Sequence, residues 1–384
     1  MGLTSLSTDV YLPAMPQMQL DLRGDVELTI SGFLIGFALA QLAWGPISDR
    51  IGRRPPLLMG MTLFVVGSIG CAMSRTIDQI VFWRLVQALG ACTGPMLARA
   101  MVRDLYGRTA AARMLSTLTM VMAIAPIIGP LIGGQILRVG SWHHIFWALA
   151  GIGLLMMLAL AWLPETHGPH SKSRASLGTA WRDYVALLRN PRFIRPTVSV
   201  MFFYMGVYAF ITGSPAVYIR YFGIAPQHYG WLFGLNIAGV MALSFVNRRL
   251  VQWFDLNALL RTATLVAAVA ILAGALWAVS PAAGFLAVVL PVFCFMTMNG
   301  IVAASATALA LDDVPHMAGS ASALIGALQY GGGIVPSFVL AWLADGSPAA
   351  LMWLMAVCAA LSAVTALLPV APRVCQLPSQ EPAR

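Results

Sequence analysis

Continuous apolar runs of about twenty residues recur along this chain, near 30–47, 56–74, 78–101, 114–137, 144–163, 194–217, 229–247, 258–279, 282–309, 318–343 and 349–370. The hydrocarbon core of a bilayer is about 30 Å thick and a helix rises about 1.5 Å per residue, so each run is long enough to cross. Eleven such runs in 384 residues make the fold class an all-α polytopic membrane protein. Composition agrees: 59% of residues are apolar and 10% are charged, whereas soluble domains carry roughly 25% charge. A soluble globular fold is excluded. A β-barrel is excluded too, because its strands would alternate apolar and polar residues instead of running continuously apolar.

Ahead of the first run, Met1 to Met18 holds Thr4, Ser5, Ser7, Thr8 and Asp9 and is too polar and too short to cross unaided. It reads as the outer part of a first helix. The count is then twelve, and the longest connection, Pro164 to Pro191, separates six helices from six. The predicted organisation is an N-terminal half over 1–163, a connecting segment over 164–193, a C-terminal half over 194–370 and a disordered tail over 371–384. The first half is 14 residues shorter than the second, and the expectation is that helix 1 is incomplete in this chain, through truncation or a late start codon.

The net charge of +9 is an orientation signal. Eighteen of the 23 basic residues fall in the connections on one side and in the tail, against four on the other side, with Arg84 inside a span. Under the positive-inside rule the N- and C-termini face the cytoplasm, and attraction to lipid headgroups replaces any nucleic-acid footprint. Leu177, Trp181, Tyr184 and Leu188 in the long connection follow helical spacing beside Arg174, Arg182 and Arg189, which predicts an amphipathic helix on the inner membrane face. The five cysteines show no CxxC spacing, so neither a disulfide framework nor a metal site is expected. The N-terminus has no basic n-region and no small-residue cleavage site, so no removable signal peptide is expected. The only lysine, Lys172, follows Ser171, so no Walker A loop exists, and His143 with His144 is a poor chelate. With no catalytic residues, metal or cofactor implied, a secondary transporter is the leading class.

Gly45-Pro-Ile-Ser-Asp49-Arg50-Ile-Gly52-Arg53-Arg54 joins helices 2 and 3. An ordinary basic loop needs no such spacing. Here glycines allow a tight turn, and an acid followed by three arginines can exchange ion pairs between sliding helices. The segment resembles the GxxxDRxGRR signature of the major facilitator superfamily. Thr8-Asp9-Val-Tyr11-Leu-Pro13-Ala-Met-Pro16 resembles the first-helix motif of twelve-helix drug:proton antiporters, and Arg84-Leu-Val-Gln87-Ala-Leu-Gly90 resembles their RxxQG motif. Ala125-Pro126-Ile-Ile-Gly129-Pro130-Leu-Ile-Gly133-Gly134 is similar to their antiporter motif in helix 5. Ser141-Trp-His-His-Ile-Phe-Trp147, Leu163-Pro-Glu-Thr166 and Leu311-Asp-Asp-Val-Pro-His-Met-Ala-Gly319 resemble the bicyclomycin-resistance (Bcr/CflA) subfamily.

Counted along their helices, Asp9 and Arg84 lie about 9–10 Å from the same membrane face, at similar depth. A charge there costs at least about 2.5–3.5 kcal/mol and needs a partner or a watery cavity. Two readings stay open: a structural ion pair, or a cavity-lining pair in which Asp9 exchanges a proton for substrate. The resemblance adds that the helix-4 arginine, with Gln87 beside it, assists proton coupling. It adds that Gly129, Pro130, Gly133 and Gly134 bend helix 5 and bias towards export, and that Asp49 and Arg50 engage neighbouring helix ends, with Asp104 as a partner for Arg50. The matching loop of the second half, Asn247-Arg248-Arg249, lacks the acid and the glycines, so gating is expected in the first half alone. Tyr11, Tyr204, Tyr208, Asn236, Asn299 and Gln329 are candidate substrate contacts. The expected function is proton-coupled efflux of small amphipathic drugs by a monomer in the bacterial inner membrane, with export of a metabolite or amino acid such as a cysteine-like solute as the alternative.

Overall fold

The computed structural model describes residues 2–106, 108–162, 165, 177–278, 284–314, 317–343 and 347–369. The tail expected to be disordered lies outside the described residues, as does the connection before residue 177 apart from Glu165 and the end of the preceding helix. Within the first half, α1 (Gly2–Asp9) passes through a 3-10 turn (Leu12–Ala14) into α2 (Met15–Leu22), followed by α3 (Leu28–Ile51), α4 (Arg54–Met73), α5 (Ile77–Ala91), α6 (Thr93–Leu105), α7 (Arg108–Val139) and α8 (Trp142–Ala161). A connecting helix, α9 (Leu177–Arg189), leads to α10 (Pro191–Pro215), α11 (Pro226–Trp253), α12 (Leu256–Ala278), α13 (Leu286–Thr297), α14 (Asn299–Asp312), α15 (Ala318–Gly332), α16 (Ile334–Leu343) and α17 (Pro348–Leu367).

Local chemistry sets these ends. Thr76 and Asn190 accept the first free backbone N–H groups of α5 and α10, and Ser347 does so for α17. Ser141 and His144 form a capping box on α8, while Pro191, Pro226 and Pro348 occupy first-turn positions where no donor is needed.

Among the described residues, ten segments, some of them two helices end to end, are long and apolar enough to cross a membrane, and Ile124–Val139 of the 32-residue α7 is a further, shorter apolar stretch. The first span departs from expectation: it continues past Pro16 to Leu22, where Arg23 in a left-handed conformation stops it.

Several runs that read as single helices are broken. The fourth span breaks at Cys92, the tenth at Met298 and the eleventh at Gly333, and the seventh ends in a π-turn over Ala216–Tyr221. The two halves meet along α3 with α15 and along α7 with α11. These are the second span with the eleventh and the fifth with the eighth, pairs that exchange when six spans are added, as expected of two repeats related by an axis along the membrane normal.

The connecting helix α9 docks on the protein by one face. Tyr184 and Leu187 are buried against Phe193, Val314 and Leu324, while Trp181 and Leu188 of the expected apolar stripe are exposed. The face that docks is the one turned towards the protein, where the apolar ends of α14 and α15 receive it.

Candidate functional site

Asp9 is the last residue of α1 and is 5% exposed. Beyond it the helix cannot continue regularly, because Pro13 removes a backbone donor and the chain tightens into the 3-10 turn. The glycines of α7 make room for this break. A Cβ on Gly129 would lie 3.2 Å from the Asp9 Cβ, and one on Gly133 would collide with the Val10 carbonyl oxygen. The small residues of the helix-5 motif therefore form the wall against which the acid and its broken helix sit. The next glycine faces the other half: a Cβ on Gly134 would lie 2.8 Å from the Gln227 Cα.

Arg84 is completely buried. Its Nη1 donates to the Ser7 carbonyl at 2.8 Å and to Gln87 Oε1 at 2.6 Å, and Gln87 Nε2 donates to Ser68 Oγ at 2.8 Å. The guanidinium carbon lies 4.4 Å from the Tyr11 ring centre and 4.5 Å from that of Phe33, with Phe146 at 6.0 Å. Its remaining nitrogens, Nε and Nη2, have no hydrogen-bond acceptor, and the ring faces cover the cation in their place. The contact with Ser7 places Arg84 at the depth of Asp9, as expected, but the two form no ion pair. Among the described residues Asp9 takes one hydrogen bond, from Thr8 Oγ1 at 3.1 Å. The structural-pair reading is corrected to this extent: the cation is satisfied by two oxygens and aromatic faces of its own half, and Asp9 lies within its electrostatic range without an ion-pair contact. Tyr11, expected in a substrate cavity, is instead fully buried as a cover for Arg84, its hydroxyl 3.1 Å from Thr29 Oγ1.

Across the interface, Asp9 lies within electrostatic range of Tyr208, Tyr229 and Tyr330. A run of rings links the halves here: Tyr204 to Tyr208 at 6.5 Å, Tyr208 to Tyr330 at 6.0 Å and Tyr330 to Phe37 at 4.1 Å. Asn236 is buried and donates to the Leu232 carbonyl, while Asn299 and Gln329 are half-buried.

At the arginine-rich end, Gly52 turns out of α3 with φ +104, and Arg53 Nε pairs with Asp104 Oδ2 at 2.9 Å while its Nη1 donates to Ser48. Among the described contacts the arginine paired with Asp104 is Arg53, where Arg50 was expected; the turn at Gly52 swings residue 53 back towards the end of α6. Arg50 is exposed, Gly45 packs against the Met96 methyl group, and the side chain of Asp49 falls outside the described residues. The halves also touch at this end: the Gln41 amide abuts Gly326, and the Tyr184 hydroxyl donates to the Leu42 carbonyl at 3.4 Å. At the opposite end Arg220 donates to Gln19 at 2.6 Å across the halves, beside Asp25 and Glu27. Burial pushes the Glu27 carboxyl above its ordinary value.

A model of the family described as Major Facilitator Superfamily matches residues 1–337. The chain belongs to the major facilitator superfamily. It is 36% identical over 330 residues to "Uncharacterized MFS-type transporter YdgK" of Bacillus subtilis (strain 168), covering 84% of this chain and 82% of that one. It is 29% identical to "Bicyclomycin resistance protein homolog" of Haemophilus influenzae, covering 94% and 91% of the two chains, and 29% identical to "Multidrug resistance protein D" of Escherichia coli (strain K12), covering 96% and 93%. These relatives support the bicyclomycin-resistance-like subfamily. Among solved structures, "Crystal structure of D-xylose-proton symporter" superposes with a TM-score of 0.75 at 15% identity, covering 95% of each chain, which bears on the fold alone. The chain is a multi-pass transporter rather than an enzyme.

In this major facilitator chain several residues at the site carried no readable signal. Phe33 and Phe146 look like any apolar span residue, and Ser7 acts through its carbonyl. Glu165, within the Leu163-Pro-Glu-Thr166 motif, accepts from the Arg53 and Arg54 backbone N–H groups at 2.9 and 3.1 Å, capping α4. A Cβ on Gly52 would lie 2.7 Å from its Oε2, so the turn and the cap are built for each other. An acid shortly after the sixth span, opposite a helix starting Arg-Arg-Pro, was the available clue.

Proposed function

We propose that this transporter exchanges protons for small amphipathic compounds, exporting them across the bacterial inner membrane, with Asp9 as the group that alternates between proton and substrate. The observation that carries the reading is the place of Asp9: a buried carboxyl group with one hydroxyl donor, no ion-pair contact, and tyrosines across the interface between the halves. Whether such a carboxyl holds a proton or a charge depends on the water and charges around it. Proton and cationic substrate then compete for one acid as the halves rock. The printed names of two relatives, a bicyclomycin resistance protein homolog and a multidrug resistance protein, support drug-like substrates.

In this reading the arginine-rich end and both termini face the cytoplasm, as the distribution of basic residues favours, and Arg53, Asp104 and Glu165 hold the cytoplasmic gate. Arg84 and Gln87 keep a fixed positive charge beside the end of α1. Tyr204, Tyr208, Asn236, Asn299 and Gln329 belong to the substrate path, and one chain suffices as the working unit. Export of dye panels from everted vesicles, with and without an uncoupler, tests it. Asp9→Asn is expected to abolish uncoupler-sensitive export while the protein still reaches the membrane; retained pH-dependent export in that variant would overturn the assignment.

A further inference from the structure

The tenth span tightens locally at Met298, between α13, which ends at Thr297, and α14, which starts at Asn299. Three polar atoms at or against this break are buried without any hydrogen-bond partner: Asn236 Oδ1, Thr297 Oγ1 and Asn299 Oδ1. Asn236 and Thr297 share one neighbourhood, and Asn299 lies beside Tyr204. Gly239 lies one turn beyond Asn236 on α11, and a Cβ there would collide with Thr297 Oγ1; a Cβ on Gly300 would lie 2.7 Å from the Val240 carbonyl oxygen. Asn236 itself is 4% exposed, and its amide orientation is set by the Nδ2 bond to Leu232 at 3.0 Å, so the atom left unpaired is the acceptor. Leaving such an acceptor buried costs about 1–3 kcal/mol, and native structures seldom collect several in one place without a use. Irregular backbone at membrane depth occurs where it lines a cavity, and broken helices near the midplane mark binding sites in transporters. Thr297, Asn299 and Tyr204 are only half-buried, and the Tyr204 hydroxyl lies beside the Asn299 amide, at one end of the ring run that leads towards Asp9.

We propose that the break between α13 and α14 forms an uncharged acceptor pocket, in which the Asn236 and Asn299 amide oxygens and the Thr297 hydroxyl receive an N–H or O–H group of the exported compound. This rests on the export reading above and sharpens its substrate class: aromatic compounds that carry a hydrogen-bond donor are preferred over fully alkylated analogues of the same shape. A site built to accept a donor leaves its own acceptors unpaired when the analogue lacks one, which is a strong basis for rejection.

The test uses two probes with the same ring, (1-naphthylmethyl)dimethylammonium with one N–H and (1-naphthylmethyl)trimethylammonium with none. Binding to the purified full chain is followed by naphthyl fluorescence, and export is followed in proteoliposomes. Wild type is expected to bind the N–H probe at least about tenfold tighter, as one satisfied acceptor implies. Asn236→Leu and, separately, Asn299→Leu should each bring the ratio of the two affinities close to one; Thr297→Val serves if either leucine variant fails to purify as a single species. Equal affinity of wild type for the two probes, or an unchanged preference in the variants, overturns the pocket. A preference in binding that the variants erase, with no proton-driven export of either probe, upholds the pocket and sinks the export reading instead.

Discussion

The packing of α7 makes a graded prediction that ties backbone geometry to transport. Four Gly→Ala substitutions add the same methyl group to four environments. At Gly151 on α8 the new Cβ meets nothing within 4 Å. At Gly129 it lies 3.2 Å from the Asp9 Cβ, tight by a few tenths of an ångström. At Gly134 it lies 2.8 Å from both the Gln227 Cα and the Pro226 carbonyl oxygen, on the other half. At Gly133 it collides with the Val10 carbonyl oxygen, and since that is backbone the whole break after Asp9 must move. Overpacking a close-packed contact costs about 1–3 kcal/mol, equivalent to roughly 5- to 150-fold in an equilibrium. The expected order of damage to export is therefore Gly151→Ala near wild type, then Gly129→Ala, then Gly134→Ala, then Gly133→Ala, with the last two in the upper part of that range. The last two also differ in kind. Gly133→Ala acts within the first half and lowers the melting temperature of the purified protein. Gly134→Ala separates α7 from α11 and shifts the population towards states open at the end where Arg220 meets Gln19. A Gln19→Cys thiol should then react faster with a membrane-impermeant maleimide in the Gly134→Ala background, at nearly unchanged melting temperature. If Gly151→Ala were as harmful as Gly133→Ala, or Gly134→Ala left thiol reactivity unchanged, the packing argument would be wrong.

Three further outcomes follow from the polar contacts. Gln87→Leu deprives the buried Arg84 of one of its two acceptors and should destabilise the protein by about 1.5–3 kcal/mol in thermal melts, as loss of a hydrogen bond to a charged group does; Gln87→Glu keeps the acceptor and should be milder. Glu165→Ala removes the two-pronged cap on α4 and should cost about 0.5–2 kcal/mol, with faster proteolysis of the loop around Gly52 and leakier uptake in the absence of substrate. The raised carboxyl of Glu27 contributes stability that is complete below its ordinary value of 4.5 and is lost as pH rises through the higher value it has when folded. Melting curves should thus fall between acidic and neutral pH more steeply for wild type than for Glu27→Gln, and equal slopes would refute that assignment.

Spans were legible because twenty apolar residues have few other ways to satisfy their backbone, and the glycines of α7 were legible by their spacing. The breaks were not. Cys92, Met298 and Gly333 sit inside runs as apolar as those that stay regular, and glycine and proline are common in membrane helices, so nothing local separates a break from a straight turn. The partner of Asp104 turned on one dihedral, the φ of +104 at Gly52, which decides whether residue 50 or 53 returns towards α6. Helical spacing found α9 but not the face that docks, because Leu187 and Leu188 are equally apolar and only the docking surface distinguishes them. At the site, Asp9 and Arg84 stood out as charges at matching depth. Their relation could not be read, since apart from Gln87 the groups that satisfy Arg84 are two phenyl rings, a tyrosine face and a main-chain carbonyl.

That relation matters for how such a site can work. Breaking a buried ion pair costs about 3–5 kcal/mol, so an acid locked to an arginine would have to meet that cost in each exchange of proton for substrate. Here every group that satisfies Arg84, from Ser7 and Gln87 to Tyr11 and Phe33, belongs to the first half. In the proposed exchange, rocking one half against the other would leave this set intact, and the cation would be a constant of the cycle instead of a participant that changes partners. Asp9, held by one neighbouring hydroxyl and walled by glycines, has the tyrosines of the second half opposite it. Of the two charges, the acid is therefore the one whose surroundings change as the halves move, and a change of surroundings is what shifts a carboxylate between its protonated and ionised forms.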